Sequence, residues 1–149
     1  MKRLRELQFY PDGFPTVGLL FLRIFAGYGL AQHGLDKLAS PFGWLDSMNT
    51  GTPGILQALA AISEFFGGIA LIFGILTPLA CLAIMCTMFV ATMFLFGKGA
   101  TMVANPPNPS WELSGLYFVI ALTLFLTGPG LLSFDYFVFG RKKAAPTAT

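Results

Sequence analysis

Four long runs of apolar residues, separated by short polar or glycine- and proline-rich stretches, make up most of the chain. They cover about Phe14 to Leu38, Pro53 to Leu76, Thr77 to Gly97 and Trp111 to Leu132. A helix needs about 20 mostly apolar residues to cross about 30 Å of hydrocarbon, and each run reaches that length. None shows the alternation of a membrane barrel strand. An unbroken helix keeps every backbone hydrogen bond within itself, as lipid demands. The pattern therefore predicts an all-α protein: an integral membrane antiparallel four-helix bundle.

The polar punctuation sets the boundaries. Pro15, Pro53 and Pro78 stand near helix starts, where a missing N–H costs little. Gly74-Ile-Leu-Thr-Pro78 leaves room only for a tight turn, so the second and third spans are antiparallel neighbours. Asn105-Pro-Pro-Asn-Pro109 predicts a stiff polar loop, and Gly128-Pro-Gly130 ends or kinks the last span. Tyr10, Trp44, Trp111 and Tyr136 fall at or beyond span ends, where interfacial aromatics belong. Lys2, Arg3 and Arg5 precede the first span and Arg141, Lys142 and Lys143 follow the last, against Lys37 and Lys98 on the other side. That bias predicts both termini in the cytoplasm. Residues 1–13 are expected to form a cytoplasmic or interfacial segment, with Leu4, Leu7 and Phe9 towards lipid. Residues 14–140 form the four-helix domain and 141–149 a basic, flexible tail. The length of the first span, Arg23 within it and the three spans behind it argue against a cleaved signal peptide.

Composition supports lipid as the solvent. The 149 residues are 55% hydrophobic and 11% charged, and a soluble domain carries about 25% charged residues. A net charge of +2 does not suggest a nucleic-acid partner. The two cysteines, Cys81 and Cys86, are five apart within one helix, on different faces, and are read as packing residues.

Ionisable groups in mid-membrane need a partner or a cavity. Arg23 and Glu64 are the two candidates. A rise of 1.5 Å per residue places them within about 5 Å in depth, which predicts an Arg23–Glu64 ion pair. Gln57, Ala60, Ala61, Glu64, Gly67, Gly68 and Leu71 share one face of the second span. Arg23, Gly27, Leu30, Gly34 and Lys37 share one face of the first. These small-residue faces let helices approach closely. Ala80, Ala83, Thr87 and Ala91 give the third span a similar face. Met85, Met88 and Met93 are expected as core or lipid filler.

A second polar cluster is expected near the outer interface: His33, Gln57 and Glu112, with Asp36 and Lys37 just beyond. One histidine excludes a bis-histidine haem and any multi-histidine metal site. Its chemistry suits proton exchange with a bound redox ligand. The chain has no GxGxxG, Walker loop, HExxH, CxxC or nucleophile elbow. No intrinsic cofactor is expected, and electrons for any redox step come from a partner protein or a diffusing quinone.

Several segments, in order, resemble the DoxX family of small four-helix membrane proteins. They are Gly18-Leu-Leu-Phe-Leu-Arg23; Gln32-His33-Gly34-Leu-Asp-Lys37-Leu38; Glu64-Phe-Phe-Gly67-Gly68 with Leu71, Gly74 and Thr77-Pro78; and Glu112-Leu113 with Gly128-Pro-Gly130, Ser133 and Asp135. The resemblance covers residues 17–136. It implies a bacterial or archaeal inner-membrane protein acting as a membrane subunit around quinone-linked oxidation. A quinone would lie between spans one, two and four. Arg23, Gln57, Lys37 and Glu112 are candidate ligand-binding residues, and Glu64 and His33 candidate catalytic ones. Glu64 or Glu112 would relay protons. Two other functions fit the same residues: a non-catalytic structural or assembly subunit of a larger membrane complex, and a small transporter or proton conduit. The short chain without an inverted repeat disfavours the conduit.

Overall fold

A computed structural model describes residues 10–46 and 50–140. The expectations for Leu4, Leu7, Phe9 and the tail 141–149 lie outside the described residues. Four α-helices follow in order: α1 Phe14–Leu38, α2 Gly54–Phe73, α3 Thr77–Gly97 and α4 Glu112–Thr127. A π-helical turn, Tyr136–Gly140, closes the described chain. No β-strand occurs among the described residues, only isolated bridges Thr101↔Ser110 and Asn105↔Asn108 that pin the α3–α4 loop.

Helices α1, α2 and α3 have 25, 20 and 21 residues and are long and apolar enough to cross a membrane. Helix α4 is shorter than expected, with 16 residues. It rises only about 24 Å. The fourth run was expected to continue to Leu132, but the chain breaks at Gly128, whose φ of 76° closes α4. Residues 128–130 then turn back into buried positions.

Each boundary has a local cause. Pro15 and Pro78 occupy the first turns of α1 and α3, and Pro53 stands one residue before α2. Gly74 takes the left-handed conformation (φ 65°) at the end of α2. There its amide bonds Leu71 O and the Ile75 amide bonds Ala70 O. Leu76 also has positive φ, 47°, an uncommon conformation for a branched side chain that makes the turn to α3 very short.

Among the described helices, α1 and α2 make the most extensive contact, backbone against backbone. A Cβ on Gly27 would stand 2.5 Å from Gly68 O, and one on Gly68 would stand 2.5 Å from Gly27 O and 2.7 Å from Ala31 N. At Gly34 an added Cβ would strike the Phe65 backbone. Most of the expected faces are buried, Arg23, Gly27, Leu30 and Gly34 on α1 and Gln57, Ala61, Glu64, Gly67, Gly68 and Leu71 on α2, while Lys37 and Ala60 are half-buried. Helix α3 differs. It buries Thr77, Ala80, Cys81, Ile84 and Met88, leaving Ala83, Thr87 and Ala91 half-buried. Bulk there fills the gap between α2 and α4 that small residues would leave open. Thr87 still binds α2, its hydroxyl 2.6 Å from the Ser63 hydroxyl. Met88 lies in the core and Met93 faces outward. Cys81 is buried and Cys86 exposed. The outer faces carry Phe14, Phe21, Phe25, Phe66, Val90 and Leu126, all exposed, as a lipid-facing surface would.

The segment after α4 locks the α2–α3 turn. The Leu76 and Thr77 amides both donate to the Asp135 carboxylate, at 2.8 Å each. The Asp135 amide donates to Gly74 O at 2.9 Å. Asp135 thus caps the start of α3 from 58 positions away in the chain. Removing a capping oxygen typically costs about 1 kcal/mol, more when the acceptor is charged and the site buried. Asp135→Ala is therefore expected to cost about 2 kcal/mol in thermal or denaturant unfolding in detergent. Asp135→Asn, which keeps one acceptor, is expected to lose about half of that.

Candidate functional site

The structure separates the two buried charges that the sequence pairs. Glu64 bonds Lys37, whose Nζ lies 2.5 Å from both carboxylate oxygens. The Arg23–Glu64 pair does not form; Arg23 donates from Nη2 to Leu132 O at 2.5 Å. Register explains the correction. Gly27 meets Gly68 and Ile72, and Gly34 meets Phe65. Helix α1 therefore projects past the end of α2, and Arg23 falls level with the Gly74 turn. Ten residues separate Gly74 from Glu64, roughly 15 Å along the axis, not about 5 Å. Lys37, assigned to the outside, reaches back along its helix as long cationic side chains do.

Two polar stations result, one at Arg23 within α1, level with the α2–α3 turn, and one at Lys37 near the C-terminal end of α1. At the terminal end, Arg23 is wholly buried within electrostatic reach of Asp135. Its Nε and Nη1 have no hydrogen-bond partner among the described residues. A Cβ on Gly74 would collide with Nη1, so this station is closed to a ligand and reads as structural. Tyr10 adds to it, with its hydroxyl donating to Asp135 O at 3.3 Å.

At the loop end, Glu64 is 2% exposed and Lys37 is 23% exposed, so the pair has one open side. Lys37 Nζ also lies 4.5 Å from the centre of the Trp44 ring, a cation–π contact that shelters the charge. Trp44 belongs to the loop after α1 and is held by its indole N–H on Gln57 O, 3.1 Å. Gln57 itself is committed to that loop. Its Oε1 accepts from the Leu45 amide, and its Nε2 donates to Asp46 Oδ1 and Thr52 O. The side chain expected to bind a ligand therefore holds the wall of the station.

His33 lies one turn before Lys37 on an exposed position of α1. Its ring meets Tyr117 of α4 edge-on at 6.3 Å. The Tyr117 hydroxyl closes over Gly29, where a Cβ would collide with it, and lies within electrostatic reach of Glu64. Glu112, at the exposed start of α4, sits five residues before Tyr117, roughly 7.5 Å further towards the loop end. The structure thus joins Lys37, Glu64 and Trp44, sets His33 one turn before Lys37 against Tyr117 of α4, and leaves Gln57 in the wall and Arg23 apart from them. Tyr117 is the residue that the sequence pattern misses. Its signal is a lone phenol in an apolar run, whose hydroxyl needs a polar neighbour when buried.

Chemically, the station offers a cation, a carboxylate, an imidazole and a phenol at the lip of an apolar helical seam. It combines hydrogen-bond donors with proton-exchanging groups. No group of three or more histidine, cysteine or acidic residues suited to a metal ion occurs among the described residues.

The DoxX family profile matches residues 18–97, which hold most of α1 and all of α2 and α3, with Arg23, His33, Lys37 and Glu64. The chain belongs to the DoxX family. It is also 30% identical over 129 residues to a Bacillus subtilis (strain 168) protein described as "Putative oxidoreductase CatD", a match covering 85% of this chain and 91% of that one. No solved structure matches the chain. Family membership and the three long apolar helices together make this DoxX protein a membrane protein in contact with the bilayer.

Proposed function

We propose that this DoxX protein is the membrane subunit of a quinone-linked oxidoreductase system. In this reading residues 14–140 form an antiparallel four-helix bundle across a bacterial or archaeal inner membrane, with both termini cytoplasmic. The observation that carries it is the half-open Lys37–Glu64 pair, with His33 and Tyr117 beside it, in an otherwise apolar helical protein. A buried charge pair is a costly way to hold two helices together, since an apolar pair of similar volume is often as stable or more so. The relative named as an oxidoreductase supports the same class of chemistry.

A quinone head group has two carbonyl oxygens and accepts two electrons and two protons to become a quinol. His33 and Tyr117 supply hydrogen bonds to one carbonyl. Lys37 stabilises charge that develops on the oxygen, while Glu64 holds Lys37 in place and exchanges the proton. Glu112 lies on the loop-side approach and relays protons to the station. The electrons come from a partner protein that oxidises its own substrate, since this chain carries no electron-transfer motif. Arg23 stays outside this scheme as a structural charge.

The test is purification in mild detergent with native mass spectrometry of whatever remains bound. A retained quinone is expected. His33→Ala, at an exposed position that leaves the fold intact, should weaken quinone binding about tenfold, the worth of one good hydrogen bond. Wild-type protein that retains no quinone and takes up none on addition overturns the reading. If it instead holds a fixed membrane partner at stoichiometric amounts, the assembly function stands in its place.

A further inference from the structure

Gly29 differs from Gly27 and Gly34 on the same helix. At those two an added Cβ would meet the backbone of α2, at Gly68 O and at Phe65, so they let two helices close on each other. At Gly29 the three nearest atoms all belong to one side chain of α4, that of Tyr117. A Cβ there would overlap the phenol oxygen and lie 3.3 Å from Cζ and 3.9 Å from Cε1. Helices α1 and α4 touch far less than α1 and α2 do, so no close backbone approach calls for a glycine at this point. The phenol oxygen does.

That hydroxyl is uncommitted. Tyr117 is only 9% exposed, and its O–H makes no hydrogen bond among the described residues, although a buried phenol ordinarily finds a partner. Its ring stands edge-on to His33, one turn after Gly29 on α1. We propose that Gly29 is a positioning residue, which seats the Tyr117 hydroxyl against α1 so that its O–H donates to a carbonyl oxygen of the bound quinone beside His33. This rests on the proposed function and adds to it the residue that fixes where the phenol donates. Backbone neighbours such as those of Gly27 cannot yield to a methyl group, but the tip of a phenol can. Gly29→Ala therefore keeps the fold and moves the donor.

The test uses the full chain in nanodiscs, with tyrosines isotope-labelled at Cζ for NMR, Tyr117→Phe to assign the signal, and menadione as a quinone head group without a tail. Gly29→Ala and Tyr117→Phe are each expected to weaken menadione binding about tenfold, the worth of one good hydrogen bond. The double variant is expected to lose no more, because both changes remove the same contact. The Tyr117 signal should shift on menadione addition in the wild type and not in Gly29→Ala, whose melting temperature should be no lower than that of the wild type. Unchanged binding in either single variant overturns the proposal. So do losses that multiply to about a hundredfold, and so does a Gly29→Ala protein that unfolds, alone or with Tyr117→Phe, since Gly29 would then serve packing. A Tyr117 signal that Gly29→Ala leaves in place overturns the seat alone. Wild-type protein that neither binds menadione nor shifts its Tyr117 signal overturns the quinone reading, and the proposal with it.

Discussion

Lys37→Met is expected to cost the folded protein about 3–5 kcal/mol, the loss that follows when one partner of a buried ion pair is removed. Glu64 is 2% exposed and both its oxygens lie 2.5 Å from Lys37 Nζ. Without Lys37 the carboxylate must take up a proton or open the α1–α2 contact to reach water. The double replacement Lys37→Met with Glu64→Met removes both charges and is expected to recover most of that loss, since an apolar pair of similar volume often matches a buried ion pair in stability. Unfolding in detergent, followed by circular dichroism over the full cycle of single and double variants, checks the result. A double variant as unstable as the single would mean that Lys37 acts through Trp44 alone. The cycle also separates stability from function, because a stable double variant should no longer bind a quinone head group.

Gly68→Leu is expected to separate α1 from α2, with a loss of about 3 kcal/mol, near the upper end for overpacking in a close-packed interior. The atoms facing Gly68 are backbone, with Gly27 O 2.5 Å and Ala31 N 2.7 Å from any added Cβ, so no side chain can move aside. The same substitution at Gly18, which faces open space, is expected to change stability little. Comparing the two melting temperatures in one detergent measures the contact directly. Comparable losses at both positions would show that helix propensity, rather than contact, sets the cost.

The features legible in the sequence were those governed by periodicity and by solvent. Apolar length marks three membrane-length helices, and proline and glycine placement marks where they start and stop. The three-to-four spacing of Gly27, Gly34, Gly67 and Gly68 marks the facing surfaces of α1 and α2, since only such residues permit that approach. Chain order alone could not give register. Depths counted from span starts assume that the helices begin level, whereas α1 overhangs α2, so Arg23 lies opposite Gly74 and not opposite Glu64. The apolar run predicts a longer α4 than the structure has, because hydropathy does not register the backbone turn at Gly128. The face of α3 is legible only in part, Ala80 being buried and Thr87 bonded to Ser63, because its apolar residues surround the helix and its neighbours choose the buried side. At the candidate site, His33, Lys37 and Glu64 were nameable as polar groups in apolar surroundings. Tyr117 needed α4 brought against α1 before its role could be seen.

The clasp of Asp135 on the Leu76 and Thr77 amides orders events as the chain is made. Helices α2 and α3 leave the ribosome as a hairpin whose connecting turn still lacks its acceptor, because that residue is synthesised 58 positions after Thr77. The turn is sealed only when the last stretch of the chain arrives. Release of a nascent chain that stops at Thr127 would therefore deliver all four helices with the junction between the middle two unfastened, an exposed target for membrane quality control.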